Sequence, residues 1–240
     1  MKKLFYTTLC MLIPVLSFCQ FNSSIDLAVG LDYSYRNLST SETDEIHNTI
    51  IEIRKQERAK TGLRFGFNYN KRLAKKLVFK TGLRYASKVY KSEKKGGLRY
   101  ESEYATGVYV LDPSLVHEYQ YVYNYWFLEL PLAVRFELSK KKFSPYIETG
   151  LSPSLYLTNN VTRKTNVGSQ TMFNGTAEKD FNKIHLAGFL AVGANYTIKD
   201  KLQFFAQPNF TYHLTQLRNS SIHEYLYNFG IEIGVRRKLK

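Results

Sequence analysis

Apolar and polar residues alternate with a period of two along much of the chain, as expected for strands with one apolar and one polar face. The clearest run is near the C-terminus, where one face carries Tyr225, Tyr227, Phe229, Ile231, Ile233 and Val235 and the other carries Asn228, Gly230, Glu232, Gly234 and Arg236. The same period recurs over residues 25–36 and 63–69. A helix would scatter these positions around its surface, so the pattern predicts β-strands.

Turn signals divide the alternating runs into eight predicted strands: Ile25–Arg36, Leu63–Tyr69, Leu77–Lys91, Val122–Leu138, Phe143–Asn159, Phe181–Ile198, Leu202–Leu217 and Tyr225–Arg236. After residue 20 no stretch has the eighteen or so uninterrupted apolar residues that a transmembrane helix requires, so any membrane span must be made of strands. The pattern therefore predicts an all-β chain that forms an eight-stranded antiparallel transmembrane β-barrel, an up-and-down meander.

The connections between the predicted strands alternate in length. Those at Arg72–Lys76, Ser139–Lys142 and Lys199–Lys201 are tight and basic, whereas 37–57, 92–121 and 160–180 are long and polar, and 218–223 is a shorter fourth loop. Bacterial barrels have short turns on the periplasmic side and longer loops outside. We therefore expect both termini to be periplasmic and the long loops to be extracellular.

The first nineteen residues have the pattern of a secretory signal, with Lys2 and Lys3 before a largely apolar stretch. We predict a signal peptide at 1–19 and a single barrel domain at 20–240. The alternative is a lipoprotein, because the residues before Cys19 approximate a lipobox, although Phe18 stands where a small residue is preferred. Both cysteines, Cys10 and Cys19, lie in this segment, so we expect no disulfide or thiol chemistry in the processed chain.

The formal net charge is +14, or +12 without Lys2 and Lys3. In a cytosolic protein this excess would favour nucleic acid as a partner, but an exported chain meets lipid phosphates instead. We therefore expect outer-membrane lipids, including lipopolysaccharide, as partners and no nucleic acid. Six Lys and Arg residues of the first two long loops are candidates for binding anions, and the same loops are candidates for a protein partner: Arg54, Lys55, Arg58, Lys94, Lys95 and Arg99.

Aromatic residues make up 15% of the chain, including nineteen Tyr and sixteen Phe. Many stand toward predicted strand ends, where amphipathic rings suit the headgroup boundary of a bilayer. We interpret the following residues as an aromatic girdle: Tyr119, Tyr121, Tyr123, Tyr125, Trp126, Tyr156, Tyr196, Tyr212, Tyr225 and Tyr227.

Two segments carry a family resemblance: the run from Tyr125 to Leu132, which reads YWFLELPL, and the run YIETG from Tyr146 to Gly150. On these segments the chain resembles the small outer-membrane β-barrel proteins of Bacteroidetes, labelled porin-family or PorT-family, which are similar to the OmpA transmembrane barrel. Within YWFLELPL, Glu129 suits a side chain that points into a polar lumen, and Pro131 removes a ladder donor and predicts a local break or bulge.

If the polar faces line the lumen, charges of both signs meet inside the barrel. The predicted lumen charge network comprises Asp26, Asp32, Arg64, Arg84, Glu129, Arg135, Glu148, Glu232 and Arg236, with Arg36, Lys80 and Glu137 on the same faces. An eight-stranded barrel is just wide enough for side chains to fill it. We therefore favour a packed network of ion pairs over a conducting pore.

We expect no enzymatic activity, no cofactor and no metal site. The main alternative is a lipid A-modifying enzyme, because His117-Glu118-Tyr119 and His223-Glu224-Tyr225 begin two predicted strands with Ser114, Ser220 and Ser221 nearby. His185 and His213 could meet on neighbouring strands, but two histidines alone make a weak metal site.

The favoured function is a structural or interaction role in the outer membrane, and the resemblance implies a link to a secretion assembly. A narrow pore for small solutes is a third possibility, which only the family label suggests.

Overall fold

The computed structural model describes residues 23–42, 44–96, 100–102, 109–111, 116–174, 180–199 and 201–239. The predicted signal segment, both cysteines, Arg99 and Ser114 lie outside these residues. The elements in chain order are β1 (Ser23–Thr40), α1 (Glu45–Lys55), β2 (Arg58–Arg72), β3 (Leu77–Lys91), β4 (Lys95–Gly96), β5 (Tyr100–Ser102), β6 (Tyr109–Leu111), β7 (Glu118–Glu129), β8 (Leu132–Glu137), β9 (Phe143–Thr165), β10 (Gly168–Asn174), β11 (Ile184–Lys199), β12 (Leu202–His213) and β13 (Ile222–Lys238).

The sheet closes on itself, because β1 pairs with β2 on one side and with β13 on the other. From β1 the ring runs through β2, β3, β7 with β8, β9, β11 and β12 to β13, and neighbours are antiparallel. Counting β7 and β8 as one member, the described residues form a ring of eight. The predicted eight-stranded antiparallel barrel is confirmed.

The fourth member of the ring is broken at Leu130-Pro131, where β7 ends and β8 begins. Both halves pair with β3 and with β9, so the member remains continuous in the ring. The break falls where proline lacks the N–H that a strand interior would donate. The interruption predicted from Pro131 is therefore present.

Side chains alternate between the outer surface and the lumen along each strand. In β1 the apolar side chains of Leu27 and Tyr33 are 70% and 56% exposed, whereas Asp26 and Asp32 have no exposed surface. An apolar exterior over a polar interior is the arrangement of transmembrane barrels and the reverse of a water-soluble fold. The apolar positions of the sequence pattern therefore form the outer face of the barrel wall, and the polar positions form its inner face.

The long connections contain more regular structure than the sequence predicts. The loop predicted at 37–57 holds α1, whose N-cap residue Asp44 accepts a hydrogen bond from the amide of Ile46 at 3.2 Å. Within 160–180, β9 continues to Thr165 and forms a hairpin with β10. The predicted strand at 181–198 begins only at Ile184, and that at 202–217 ends at His213. Phe181 instead forms an isolated bridge with Arg218.

The tight connections are found where they were predicted, before β3, β9 and β12. They lie at one end of the barrel, and α1 and the β9–β10 hairpin lie at the other, because the strands alternate in direction. In the part of the chain that the structure describes, no helix has the length and apolar character needed to cross a membrane.

Candidate functional site

The lumen is filled with charged side chains. The structure places all nine residues of the predicted network inside it, each with at most 5% of its surface exposed: Asp26, Asp32, Arg64, Arg84, Glu129, Arg135, Glu148, Glu232 and Arg236. They reach the lumen because they occupy alternate positions on strands whose other face is apolar. Charges at this depth need partners, because an unpaired buried ion is strongly unfavourable.

Glu148 of β9 holds two cations at once. Its Oε1 accepts a hydrogen bond from Lys80 Nζ at 2.8 Å, and its Oε2 lies 2.6 Å from Arg135 Nη2. The Arg135 guanidinium also lies over the ring of Tyr146, with Cζ 4.6 Å from the ring centroid. None of Lys80, Arg135 and Glu148 has any exposed surface, so the three charged groups are fully buried.

Glu232 of β13 is a second centre of the network. Its carboxylate lies 3.6–3.7 Å from cationic nitrogens of Arg64, Lys80 and Arg84, and Gln207 Nε2 donates to its Oε1 at 3.1 Å. Lys80 therefore bridges Glu232 and Glu148, which joins the two centres across the barrel.

Asp32 and Glu129 extend the network toward the end that carries α1. Asp32 accepts hydrogen bonds from Arg64 at 2.9 Å and from Lys88 at 3.1 Å, and Lys88 Nζ also lies 3.2 Å from Glu129 Oε1. Sequence analysis missed Lys88, although it stands four residues after Arg84 on β3 and so shares its face. The period of two could have identified it.

At the end with the tight connections, Arg236 donates two hydrogen bonds to Asp26, at 2.7 and 3.0 Å, and a third to Asn195 at 2.9 Å. A paired carboxylate also lies at this rim, where Arg72 Nη2 is 2.7 Å from Glu137 Oε2. A cavity of about 80 Å³ opens here, and Arg135 and Arg236 are among its lining residues.

At the opposite rim, Glu224 accepts hydrogen bonds from Arg36 at 2.6 Å and from Arg54 of α1 at 2.5 Å. Arg36 also donates to Glu57. Burial raises the pKa of the Glu57 carboxyl, outweighing the opposing attraction of Arg36 and Arg54. These contacts attach α1 to the mouth of the barrel.

Above the ion pairs lies an aromatic layer, a compact cluster of buried apolar side chains: Tyr90, Tyr125, Phe127, Tyr156, Phe181, Leu217 and Leu226. Tyr90 and Tyr125 join their hydroxyls at 2.9 Å, and the rings of Tyr156 and Phe181 stack with centroids 4.8 Å apart. Phe181 and Leu217 come from connecting segments, which thus pack into the mouth of the barrel.

Beyond this layer is an open cavity of about 1050 Å³, the outer vestibule. Its lining residues are His47, Ile50, Ile53, Arg54, Gln56, Glu57, Tyr90, Ser92, Glu93, Lys95, Tyr119, Tyr121, Tyr123, Arg163, Asp180, Arg218, Asn219, Ser220, Ser221, Ile222 and Glu224. This cavity and the small one at the opposite rim share no lining residue.

The predicted aromatic girdle is wrong for half of its members. Tyr119, Tyr121 and Tyr123 line the outer vestibule, and Tyr125 and Tyr156 are buried in the aromatic layer. The β7 tyrosines share the odd-numbered face with the lumen residue Glu129, so their rings point inward. The other members include Tyr196, which is 55% exposed on the outer surface.

The loop cations have acidic neighbours. Arg54 pairs with Glu224, Lys55 Nζ lies 2.5 Å from Glu52, and Lys94 Nζ lies 3.0 Å from Glu118. Arg58 Nη2 lies 3.5 Å from Glu93. Lys95 is exposed on β4 and lines the vestibule. Each of the four paired cations therefore has a counter-ion within the protein: Arg54, Lys55, Arg58 and Lys94.

His185 and His213 come together inside the barrel. The rings of His185 and His213 lie 6.0 Å apart and both pack against Phe127, and His185 bonds to the Asn182 carbonyl at 2.6 Å. Among the described residues no group of three or more His, Cys, Asp or Glu could hold a metal ion.

The candidate catalytic segments do not present a free acid next to their histidines. The Glu224 carboxylate is bound by two arginines inside the rim, whereas His223 precedes it on the opposite face of β13. Ser220 donates its hydroxyl to the Ile222 carbonyl at 2.7 Å. His117 lies 3.1 Å from Asn166 Nδ2, and Glu118 pairs with Lys94.

Solved structures of small barrels are similar to this chain. Neisserial surface protein A is 11% identical, with 91% of this chain and 97% of that chain covered and a TM-score of 0.44. The outer membrane protease OmpT from Escherichia coli is 9% identical, with 92% of this chain and 99% of that chain covered and a TM-score of 0.47. The outer membrane protein OprG from Pseudomonas aeruginosa is 9% identical, with 91% of this chain and 96% of that chain covered and a TM-score of 0.44.

A search of curated proteins found no match. The model of the outer membrane protein beta-barrel domain family matches residues 18–219, which is most of the chain and includes seven of the eight members of the ring in full. The chain therefore belongs to the outer membrane protein beta-barrel domain family and is a protein of the outer membrane.

Proposed function

We propose that this protein is a non-conducting outer-membrane barrel with a structural or interaction role, performed by the surface around its outer vestibule. The observation that carries the proposal is the filled lumen, in which the ion pairs around Glu148 and Glu232 lie beneath the aromatic layer. A channel needs a continuous path for water, whereas the cavities at the two ends have no lining residue in common. The barrel wall then serves to hold the outer surface in place.

The interaction role implies a partner outside the lumen. The described part of the outer surface supports it, because α1 is attached to the rim through Arg54 and Glu224 and the β9–β10 hairpin prolongs the wall. The resemblance to PorT-family proteins suggests a secretion assembly as this partner. Lipid A modification gains no support from the rim, because Arg36 and Arg54 occupy the carboxylate of Glu224.

The test of the sealed lumen is conductance. We expect the purified barrel to give no stable single-channel steps in planar lipid bilayers across physiological voltages. A large porin inserted in the same bilayers is the positive control, and folded insertion is verified by heat-dependent gel migration. Reproducible steps whose ion selectivity changes in a Glu232→Gln variant would show a path through the lumen and contradict the proposal.

We further propose that the long connections face the exterior and that both termini are periplasmic. Since Cys10 and Cys19 belong to the predicted signal segment, single cysteines can report orientation. We expect Ile46→Cys in α1 to react with a membrane-impermeant maleimide on intact cells. We expect Lys141→Cys, in a tight connection, to react only after the outer membrane is opened. The reverse pattern would invert the topology.

A further inference from the structure

We propose that the outer vestibule is a binding site for an acidic oligosaccharide, a chain of sugar rings that carry carboxylates. This inference rests on the proposed sealed lumen, because a cavity with a closed floor holds a ligand instead of passing it on. The cavity of about 1050 Å³ slightly exceeds the range of roughly 300–1,000 Å³ for drug-sized ligands. It is therefore large enough for several sugar rings.

Tyrosine rings on β7 line one wall of this cavity. Tyr119, Tyr121 and Tyr123 follow one another along the inner face, with ring centroids 5.8 and 6.4 Å apart, and the ring of Tyr90 stacks on Tyr123 at 5.0 Å. Aromatic faces pack against the C–H faces of sugar rings, and phenolic hydroxyls can bond to sugar hydroxyls. Rings that line a cavity therefore suit a hydroxylated ligand.

The carboxylates on the wall are mostly engaged. Glu224 and Glu57 bind Arg36, Glu224 also binds Arg54, and Glu93 lies beside Arg58. Asp180 and Lys95 have opposite formal charges, so together they add nothing to the net charge of the cavity wall. The net charge of the cavity wall is therefore positive, and it comes from the remaining cations, Arg163 and Arg218.

Arg163 and Arg218 form no ion pair with any described residue. Arg163 lies over the ring of Tyr119, with Cζ 5.7 Å from its centroid, and Arg218 lies 4.2 Å above Phe181 and donates to the Tyr125 hydroxyl at 3.3 Å. The Nε of each is buried without a hydrogen-bond partner among the described residues. Guanidinium groups held over rings with unused donors fit carboxylates, which they bind in a planar fork.

The test measures binding of tetragalacturonate to the detergent-solubilised barrel by isothermal titration calorimetry, with its methyl-esterified form as the uncharged control. We expect saturable binding of the acid that weakens as salt rises, and at least about tenfold weaker binding of the ester, since charge-assisted hydrogen bonds are about twice as strong as neutral ones. Equal affinities for acid and ester, no binding of either, or tighter binding of an oligothymidylate would overturn the proposal.

Paired variants locate the site. Arg163→Gln is expected to weaken tetragalacturonate binding about tenfold, whereas Lys164→Gln, the same charge change on the opposite face of β9, should leave it unchanged. Tyr121→Leu should weaken binding, whereas Tyr196→Leu on the outer surface should not. Heat-dependent migration verifies that each variant is folded. Equal losses in Arg163→Gln and Lys164→Gln would overturn the site.

The outcomes separate this inference from the proposed function. A barrel that conducts overturns the sealed lumen and, with it, the closed floor on which the vestibule site rests. A barrel that neither conducts nor binds keeps the sealed scaffold and overturns the vestibule site alone.

Discussion

The Glu148→Ala variant is expected to lose about 3–5 kcal/mol of unfolding free energy. This is the usual cost of removing one partner of a buried ion pair and leaving the other charge buried. Removal of this carboxylate leaves Lys80 and Arg135 charged, with no exposed surface and without their nearest counter-ion. Among the described residues, Lys80 then keeps the more distant Glu232, at 3.6 Å, as its ion-pair partner. The measurement is urea unfolding of the detergent-folded barrel, monitored by loss of the fast-migrating form on unboiled gels.

Two further variants make this prediction specific. Lys94→Ala removes the exposed pair with Glu118 and should leave the urea midpoint unchanged, because solvent-exposed pairs contribute little to stability. Glu148→Gln keeps the shape of the side chain but not its charge, so it should destabilise nearly as much as alanine. A Glu148→Ala barrel with the wild-type midpoint would contradict the view that the network supports the fold.

The Gly150→Ala variant is expected to fail to form the heat-modifiable barrel or to lose at least about 3 kcal/mol, the upper end for overpacking. A Cβ at Gly150 would lie 2.2 Å from the Leu132 carbonyl oxygen and 2.7 Å from Ala133 Cα. Both atoms belong to the backbone of β8, which is hydrogen-bonded into the ring, so the neighbour cannot move aside as a flexible side chain would. The measurement is the folded fraction after refolding in detergent.

Gly188→Ala is the matched control. Gly188 stands on β11 opposite Leu151, the residue after Gly150. A Cβ there would meet no atom of the described residues within 4 Å, its own chain neighbours aside. This variant should fold with the yield and urea midpoint of the wild type. If both alanine variants fold equally well, the close approach of β8 and β9 does not limit assembly.

The ionic and aromatic parts of the interior have complementary effects. The ion pairs satisfy the charges that line the polar faces of the strands, and the aromatic layer excludes water from their outer end. Because low polarity strengthens electrostatic attraction, the aromatic layer should strengthen the pairs beneath it. The same layer forms the floor of the outer vestibule, so stability and the proposed binding site depend on the same side chains.

The sequence by itself determined the strand period, the alternation of short and long connections and the break at Pro131. These features are local, because side-chain direction in a strand depends only on the parity of the position. The same parity was enough to place Asp26, Glu148 and Glu232 in the lumen. It also contained the signal for Lys88 and for the inward tyrosines of β7, because these residues share the parity of Arg84 and Glu129.

Only the tertiary structure decided which charges pair, because partners such as Lys80 and Glu148 are 68 residues apart and meet through the register of a closed ring. It also decided that Tyr119, Tyr121 and Tyr123 line a cavity and that α1 is anchored at the rim. It likewise left Arg163 and Arg218 without a carboxylate partner among the described residues. These features depend on the distances between strands that are remote in sequence, and alternation along a single strand carries no information about such distances.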